Sequence, residues 1–129
     1  MSLNRLADYL DHMQQAATDA YSFVEGMDKD AFLEDKRTQQ AVIMSLIIIG
    51  EAATKVMDGY PRFSEKCTGV PWCGMRGMRN RITHGYFDIN LDVVWETVQT
   101  ALPELLSQLS ETRSHARYVD ERDEGRTTP

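Results

Sequence analysis

Apolar residues recur along this chain at three- and four-residue steps, the repeat of one helix face. Leu3, Leu6, Leu10, Met13, Ala17, Ala20 and Val24 make the first stripe. Ser2 is placed to cap that helix and Gly26 to end it. A short turn of helix is expected from Asp28 to Leu33. The second stripe, from about Asp35 to Asp58, carries Ala41, Met44, Ser45, Ile48, Ala52 and Val56, widened by Ile47, Ile49 and Ala53. So wide an apolar surface predicts a central helix that meets several neighbours or a second subunit. Gly59 and Pro61 stop it. The chain from Tyr60 to Val70 reads as a loop with room for one helical turn.

Pro71 suits the first position of a third helix running to about Thr83, with Gly85 as its terminator. Asp88, Ile89 and Asn90 form a turn, and Asn90 caps a last helix from Leu91 to about Leu109. Its apolar positions are Val94, Trp95, Val98, Leu102, Leu105, Leu106 and Leu109, and Pro103 among them predicts a kink. No period-two alternation marks a strand. The expected fold is all-α, an antiparallel bundle of four or five helices over residues 1–110. Beyond Ser110 the apolar pattern ends, so residues 111–129 are expected to be a charged, disordered tail.

A length of 129 residues fits a single domain, and 42% apolar with 26% charged residues is ordinary for a globular one. The net charge of −6, from 20 acidic and 14 basic side chains, argues against a generic basic nucleic-acid coat. It leaves room for a small local basic site. Cys67 and Cys73 are too few for a zinc site and read as buried or half-buried thiols in a reducing cytoplasm. The stretch MSLNRLADYLDHMQQ has no apolar signal core, and Ile47-Ile48-Ile49 is too short and interrupted a run to span a bilayer. A cytoplasmic protein without a membrane partner is the expectation.

The densest chemical cluster is Arg76-Gly77-Met78-Arg79-Asn80-Arg81-Ile82-Thr83-His84-Gly85-Tyr86. On a helix, Met75, Met78 and Ile82 share an inward face. Arg76, Asn80 and His84 follow at four-residue steps on another stripe. Arg79 lies beside that stripe, with a stem long enough to bring its guanidinium alongside His84. An imidazole exchanges a proton near neutral pH, and a guanidinium forks onto phosphate and stabilises added charge there. Together with an orienting amide they suit phosphodiester cleavage of RNA without a metal or other cofactor. One His does not easily serve as both base and acid, so a two-fold dimer would supply the second set. The same residues also fit a plainer reading: solvated cations near a helix C-terminus, favoured there by the helix dipole.

Arg79-Asn80-Arg81-Ile82-Thr83-His84-Gly85-Tyr86 resembles the signature of the HepT-like ribonuclease toxins, within the HEPN domains: Arg, usually Asn, then His and, one residue on, Tyr. Ile49-Gly50-Glu51-Ala52-Ala53 resembles the central-helix motif of that family. Val70-Pro71-Trp72 resembles the entry to its motif helix. Phe87-Asp88-Ile89-Asn90, Val94-Trp95-Glu96 and Leu102-Pro103 resemble its last helix. The likeness covers roughly residues 3 to 110. It implies a HEPN-like, two-fold homodimeric bundle with a composite ribonuclease site at the interface. Arg79 and His84 would be catalytic, Asn80 supporting, and Arg76 and Arg81 would hold RNA phosphates. It further implies a type VII-like toxin–antitoxin pair, in which a nucleotidyltransferase antitoxin transfers AMP to Tyr86. The alternatives are a non-catalytic HEPN module that binds nucleotide or RNA beside a nucleotidyltransferase, and a purely structural dimer.

For the acidic chain to hold RNA, Arg76, Arg79 and Arg81, with Arg62 and Lys66, would form a local positive groove. Glu51, in an apolar helix, is either a buried partner for a motif Arg or a half-exposed face residue. Trp72, Trp95, Tyr60 and Phe87 read as packing residues, His12 as surface, and His115 as part of the tail.

Overall fold

The computed structural model describes residues 5–116, and among them only helices and the turns between helices occur. Four principal members make the bundle: α1 (Leu6–Phe23), α3 (Lys36–Gly59), α5 (Trp72–His84) and a final rod. The rod consists of α6 (Leu91–Glu96), a wide turn (Thr97–Ala101) and α7 (Leu102–Ala116). Two short helices, α2 (Lys29–Glu34) and α4 (Pro61–Lys66), fill the connections where a helical turn and a loop are expected from sequence.

Local chemistry sets most of the ends. Gly26, at φ +79°, takes the third position of a tight turn closed by the Met27 N–H on the Val24 carbonyl. Asp28 and Asp35 accept the backbone N–H groups of Ala31 and Thr38 at 2.8 and 3.0 Å, so each caps the helix it precedes. Asn90 caps α6 as expected, accepting from both Asp92 and Val93. Pro61 opens α4 at a position where its missing N–H costs nothing.

α3 is the central helix, packed on α1 and on α5, while α1 packs on α7. The Tyr60 hydroxyl at the end of α3 accepts the Arg5 N–H at the start of α1, so those two run antiparallel. Arg113 of α7 reaches back to Asp11 and Gln14 of α1. Between them lie Leu6, Leu10 and Met13, Val42, Leu46, Ile49 and Val56, and Val98, Leu102, Leu105 and Leu109, all buried. Trp95 stacks against Phe32 with centroids 5.4 Å apart, and Trp72 donates its indole N–H to the Cys67 carbonyl at 3.0 Å. Both tryptophans and Tyr60 are core residues, as expected. By length and composition α3 could also cross a membrane; 44% of its most apolar stretch is buried in the bundle, so packing accounts for part of its apolarity.

Three expectations change. Met44 and Ile48 do not join the core; they stay 56% and 40% exposed on the outer side of α3. Cys73 is exposed, its thiol 3.9 Å from the Met57 sulfur, while Cys67 is half-buried and burial pushes its thiol above the usual range. The last helix does not end near Leu109. It continues to Ala116, because Thr112 and Ala116 are buried and Arg113 has its partners on α1. Ser2, Leu3 and residues 117–129 of the expected tail lie outside the described residues.

Pro103 does not break the rod. Ahead of it the helix widens, and the Leu102 N–H bonds the Thr97 carbonyl, five residues back. The wider turn leaves room for a ring that would otherwise press on a carbonyl one turn earlier.

Candidate active site

The site begins with a glycine. A Cβ on Gly50 of α3 would stand 2.3 Å from the Arg79 Cβ and 2.8 Å from the Met75 carbonyl oxygen. Only a bare Cα lets α5 come this close. Cys73 meets Met57 further along α3, so the two helices run antiparallel. The close approach sets Arg79 directly over the turn of α3 that carries Glu51 and Thr54. Its Nη1 pairs with the Glu51 carboxylate, and its Nη2 lies 3.4 Å from the Thr54 hydroxyl. Thr54 in turn donates to the Gly50 carbonyl at 2.9 Å. The Arg79 Nε–H is buried and finds no partner among the described residues.

This pair is open on one side. The Arg79 side chain is 20% exposed and that of Glu51 51%. Glu51 partners the motif arginine but is not buried, so the pairing expected of it holds and the burial does not; it is a half-exposed face residue. The guanidinium is drawn to α3 rather than alongside His84. Arg79 also does not stand clear of the packed face, since its Cβ abuts Gly50.

The rest of α5 arranges as the helical repeat predicts. Ile82 is buried, Met75 and Met78 pack partly against the core, and Arg76 and Asn80 are half-buried on the neighbouring stripe. His84 closes the helix and is exposed, as is Arg81, whose Nη1 curls back over Gly77. α5 carries three arginines and one histidine and no carboxylate, so a chain of charge −6 has one wholly cationic helix. Its last turn holds Arg81 and His84, where the dipole favours cations. Arg62 and Lys66, assigned by sequence to the same groove, stand exposed on α4. Among the described residues no three His, Cys, Asp or Glu side chains gather as a metal site requires.

His84 lies five residues past Arg79, about 7.5 Å further along the axis. In the antiparallel pair this brings it roughly level with the Leu46 turn of α3, the turn that bears Met44 and Ile48. After Gly85 a short turn (Tyr86–Asp88) projects two aromatic rings. Tyr86 is 54% exposed, and Phe87, read from sequence as a packing residue, is 96% exposed. Sequence reasoning passed over Thr54 too, although a step of three from Glu51 puts both on one helix face.

Comparison with known proteins agrees with the cluster. The family profile described as "Ribonuclease HepT-like" matches residues 13–112, which includes all of α3 and α5. The chain belongs to the HepT-like family. One relative, a Methanocaldococcus jannaschii protein that bears an RNase name, is 38% identical over 116 residues, 90% of each chain. A second of that kind, from Caldanaerobacter subterraneus, is 36% identical over 80% of this chain and 89% of its own. A Thermococcus cleftensis protein named "Probable ribonuclease HepT" is 34% identical over 82% of this chain and 94% of its own. No solved structure matches the chain. For a HepT-like protein, the Arg79–Glu51 pair and the exposed His84 are the groups to be explained as nuclease chemistry.

Proposed function

We propose that this HepT-like chain is a metal-independent endoribonuclease that acts as a cytoplasmic homodimer and as the toxin of a toxin–antitoxin pair. The observation that carries the reading is α5 itself: a carboxylate-free helix that ends in an exposed imidazole and is docked through Gly50 against a partly open Arg79–Glu51 pair. The two terminal nitrogens of Arg79 still carry N–H groups beyond those engaged by Glu51 and Thr54. A phosphate entering from the open side would meet that guanidinium, and Asn80, Arg76 and Arg81 would hold flanking oxygens. His84 takes the 2′-hydroxyl proton, the 2′-oxygen attacks phosphorus, and the bond to the 5′-oxygen breaks. The leaving oxygen receives a proton from the His84 imidazolium of a second copy. The products are a 2′,3′-cyclic phosphate and a free 5′-hydroxyl.

The dimer reading rests on Met44 and Ile48. Two exposed apolar residues in line with Glu51, at about the level of His84, would bring two sites together if they paired across a two-fold axis. Tyr86, half-exposed beside His84, is the hydroxyl that a nucleotidyltransferase antitoxin would reach for AMP transfer. The adduct would bring bulk and a phosphate to the guanidinium and so silence the site.

Purified protein with single-stranded RNA in EDTA tests this. Cleavage that persists under chelation and falls by about 100-fold or more in His84→Ala and Arg79→Ala is expected. Binding without cleavage would replace the enzyme with a non-catalytic nucleotide- or RNA-binding module. Tyr86→Phe should keep cleavage and lose AMP transfer; mass spectrometry that finds the adduct elsewhere counts against Tyr86.

A further inference from the structure

Residues 86–90 put together three features that the reaction above does not use. Phe87 presents nearly its whole ring to solvent, three residues past His84. The Tyr86 and Phe87 rings form an edge-to-face pair, with centroids 5.7 Å apart and planes at 88°, which braces the phenyl while nearly all of its surface stays exposed. Beside the same turn runs a groove of about 220 Å³ between α5 and α6. Met78, Ile82 and Val94 line it with apolar surface, and Arg81, Asp88 and Asn90 supply polar groups. Asn90 spends its side-chain oxygen on capping α6, so its amide NH₂ is the end left to donate.

We infer that this turn is a nucleobase subsite, with Phe87 as the stacking face for a base one nucleotide beyond the two that the scissile phosphate joins, in single-stranded RNA. The inference rests on the ribonuclease reading for its substrate but names a residue outside the catalytic set. An aromatic ring held out in water next to a cationic helix is the pairing by which single-stranded nucleic acid is gripped: cations take the backbone and the ring takes a base. Bases in a duplex are already stacked and offer the ring no face, so the subsite selects unpaired RNA. The groove, of about 220 Å³, gives room for a flat heterocycle, and its rim offers a donor from Asn90 and an acceptor from Asp88. That set can tell a base bearing both carbonyl and amino groups from one lacking them. A protein surface would also cover Phe87, but it would not need the flat ring or the mixed rim, and the charge of α5 favours the polyanion.

The test compares Phe87→Ala, Phe87→Leu and Phe87→Trp on a fluorescent single-stranded RNA and on a dinucleotide, which lacks flanking bases. On the longer strand, Phe87→Ala is expected to raise KM by roughly 5- to 150-fold with kcat little changed, the loss of one stacked base. Trp should restore KM and Leu should not, and the dinucleotide should be cut equally by all four proteins. Leu rescuing as well as Trp, or a dimer that dissociates in Phe87→Ala by light scattering, overturns the inference in favour of an apolar protein contact. So does an unchanged KM. The affinity of the same strand for the uncleaving His84→Ala protein, with and without Phe87→Ala, separates the two readings. A wild-type protein that binds RNA through Phe87 but never cuts it keeps the subsite and removes the nuclease. A wild-type protein that neither binds nor cuts RNA removes both.

Discussion

Arg79 shows how a side chain on the edge of a helical stripe acquires a direction. Its position beside Arg76, Asn80 and His84 follows from the 3.6-residue repeat, but that repeat does not say which way a long stem leans. The lean is decided by Glu51, 28 residues earlier in the chain, which reaches it only because Gly50 has no Cβ. Phe87 is the opposite case: a large apolar residue suggests burial, and only the turn that carries it past α5 shows that nothing covers it. Asp35 permits a test at this same scale. Hydrogen bonds from Thr38 hold its carboxyl below the ordinary value of 3.8. A lowered folded value means that the stabilisation is present above the ordinary pKa and is lost as the pH falls through the folded one. Asparagine caps a helix about as well as aspartate but does not titrate. Asp35→Asn should melt within a few degrees of wild type at neutral pH and show a shallower loss of melting temperature below about pH 4. An identical acid limb in the two proteins would remove Asp35 from the account.

Elements were the most legible level of this chain. The helices, the Asn90 cap and the role of Gly26 were visible because each rests on neighbouring residues. The true end of α7 was not, since Thr112 and Arg113 are polar and their reason for being helical lies across the bundle on α1. The α3–α5 crossing was visible only as a motif, not as a contact. Its energetics can be weighed at Gly50. Replacing a mid-helix glycine with alanine ordinarily stabilises by about 1 kcal/mol. Here the new methyl would meet Met75 backbone at 2.8 Å and the Arg79 Cβ at 2.3 Å, neither of which can swing away. Overpacking of this kind costs about 1–3 kcal/mol, so the net sign should reverse. Gly50→Ala is expected to lower the urea midpoint and to weaken RNA cleavage by moving Arg79. A stabilised protein would show that α5 can back off freely.

At the scale of the whole molecule, the unfinished surface is the outer side of α3. Exposed Met44 and Ile48 are followed on the same stripe by Glu51, so the apolar pair and the catalytic candidate share one face. The apolar width of this helix announced several neighbours or a second subunit, and α1 and α5 cover only part of it. Met44→Lys with Ile48→Lys should leave helical content intact, because neither side chain supports the fold of a single chain. By light scattering it should halve the mass in solution, and it should abolish cleavage. An active protein of unchanged mass would count against the proposed dimer on this face.

The wide turn before Pro103 affects the whole rod. Val94, Val98 and Leu102 follow at two successive steps of four, which in a regular helix drift about 40° per step around the axis. Slower winding through residues 97–101 lets these side chains stay nearly in line, so one seam passes from α6 into α7 without a break. The chain has in effect absorbed a residue that its neighbours never notice. The irregularity that a proline would be expected to impose becomes the adjustment that keeps both halves of the rod in step.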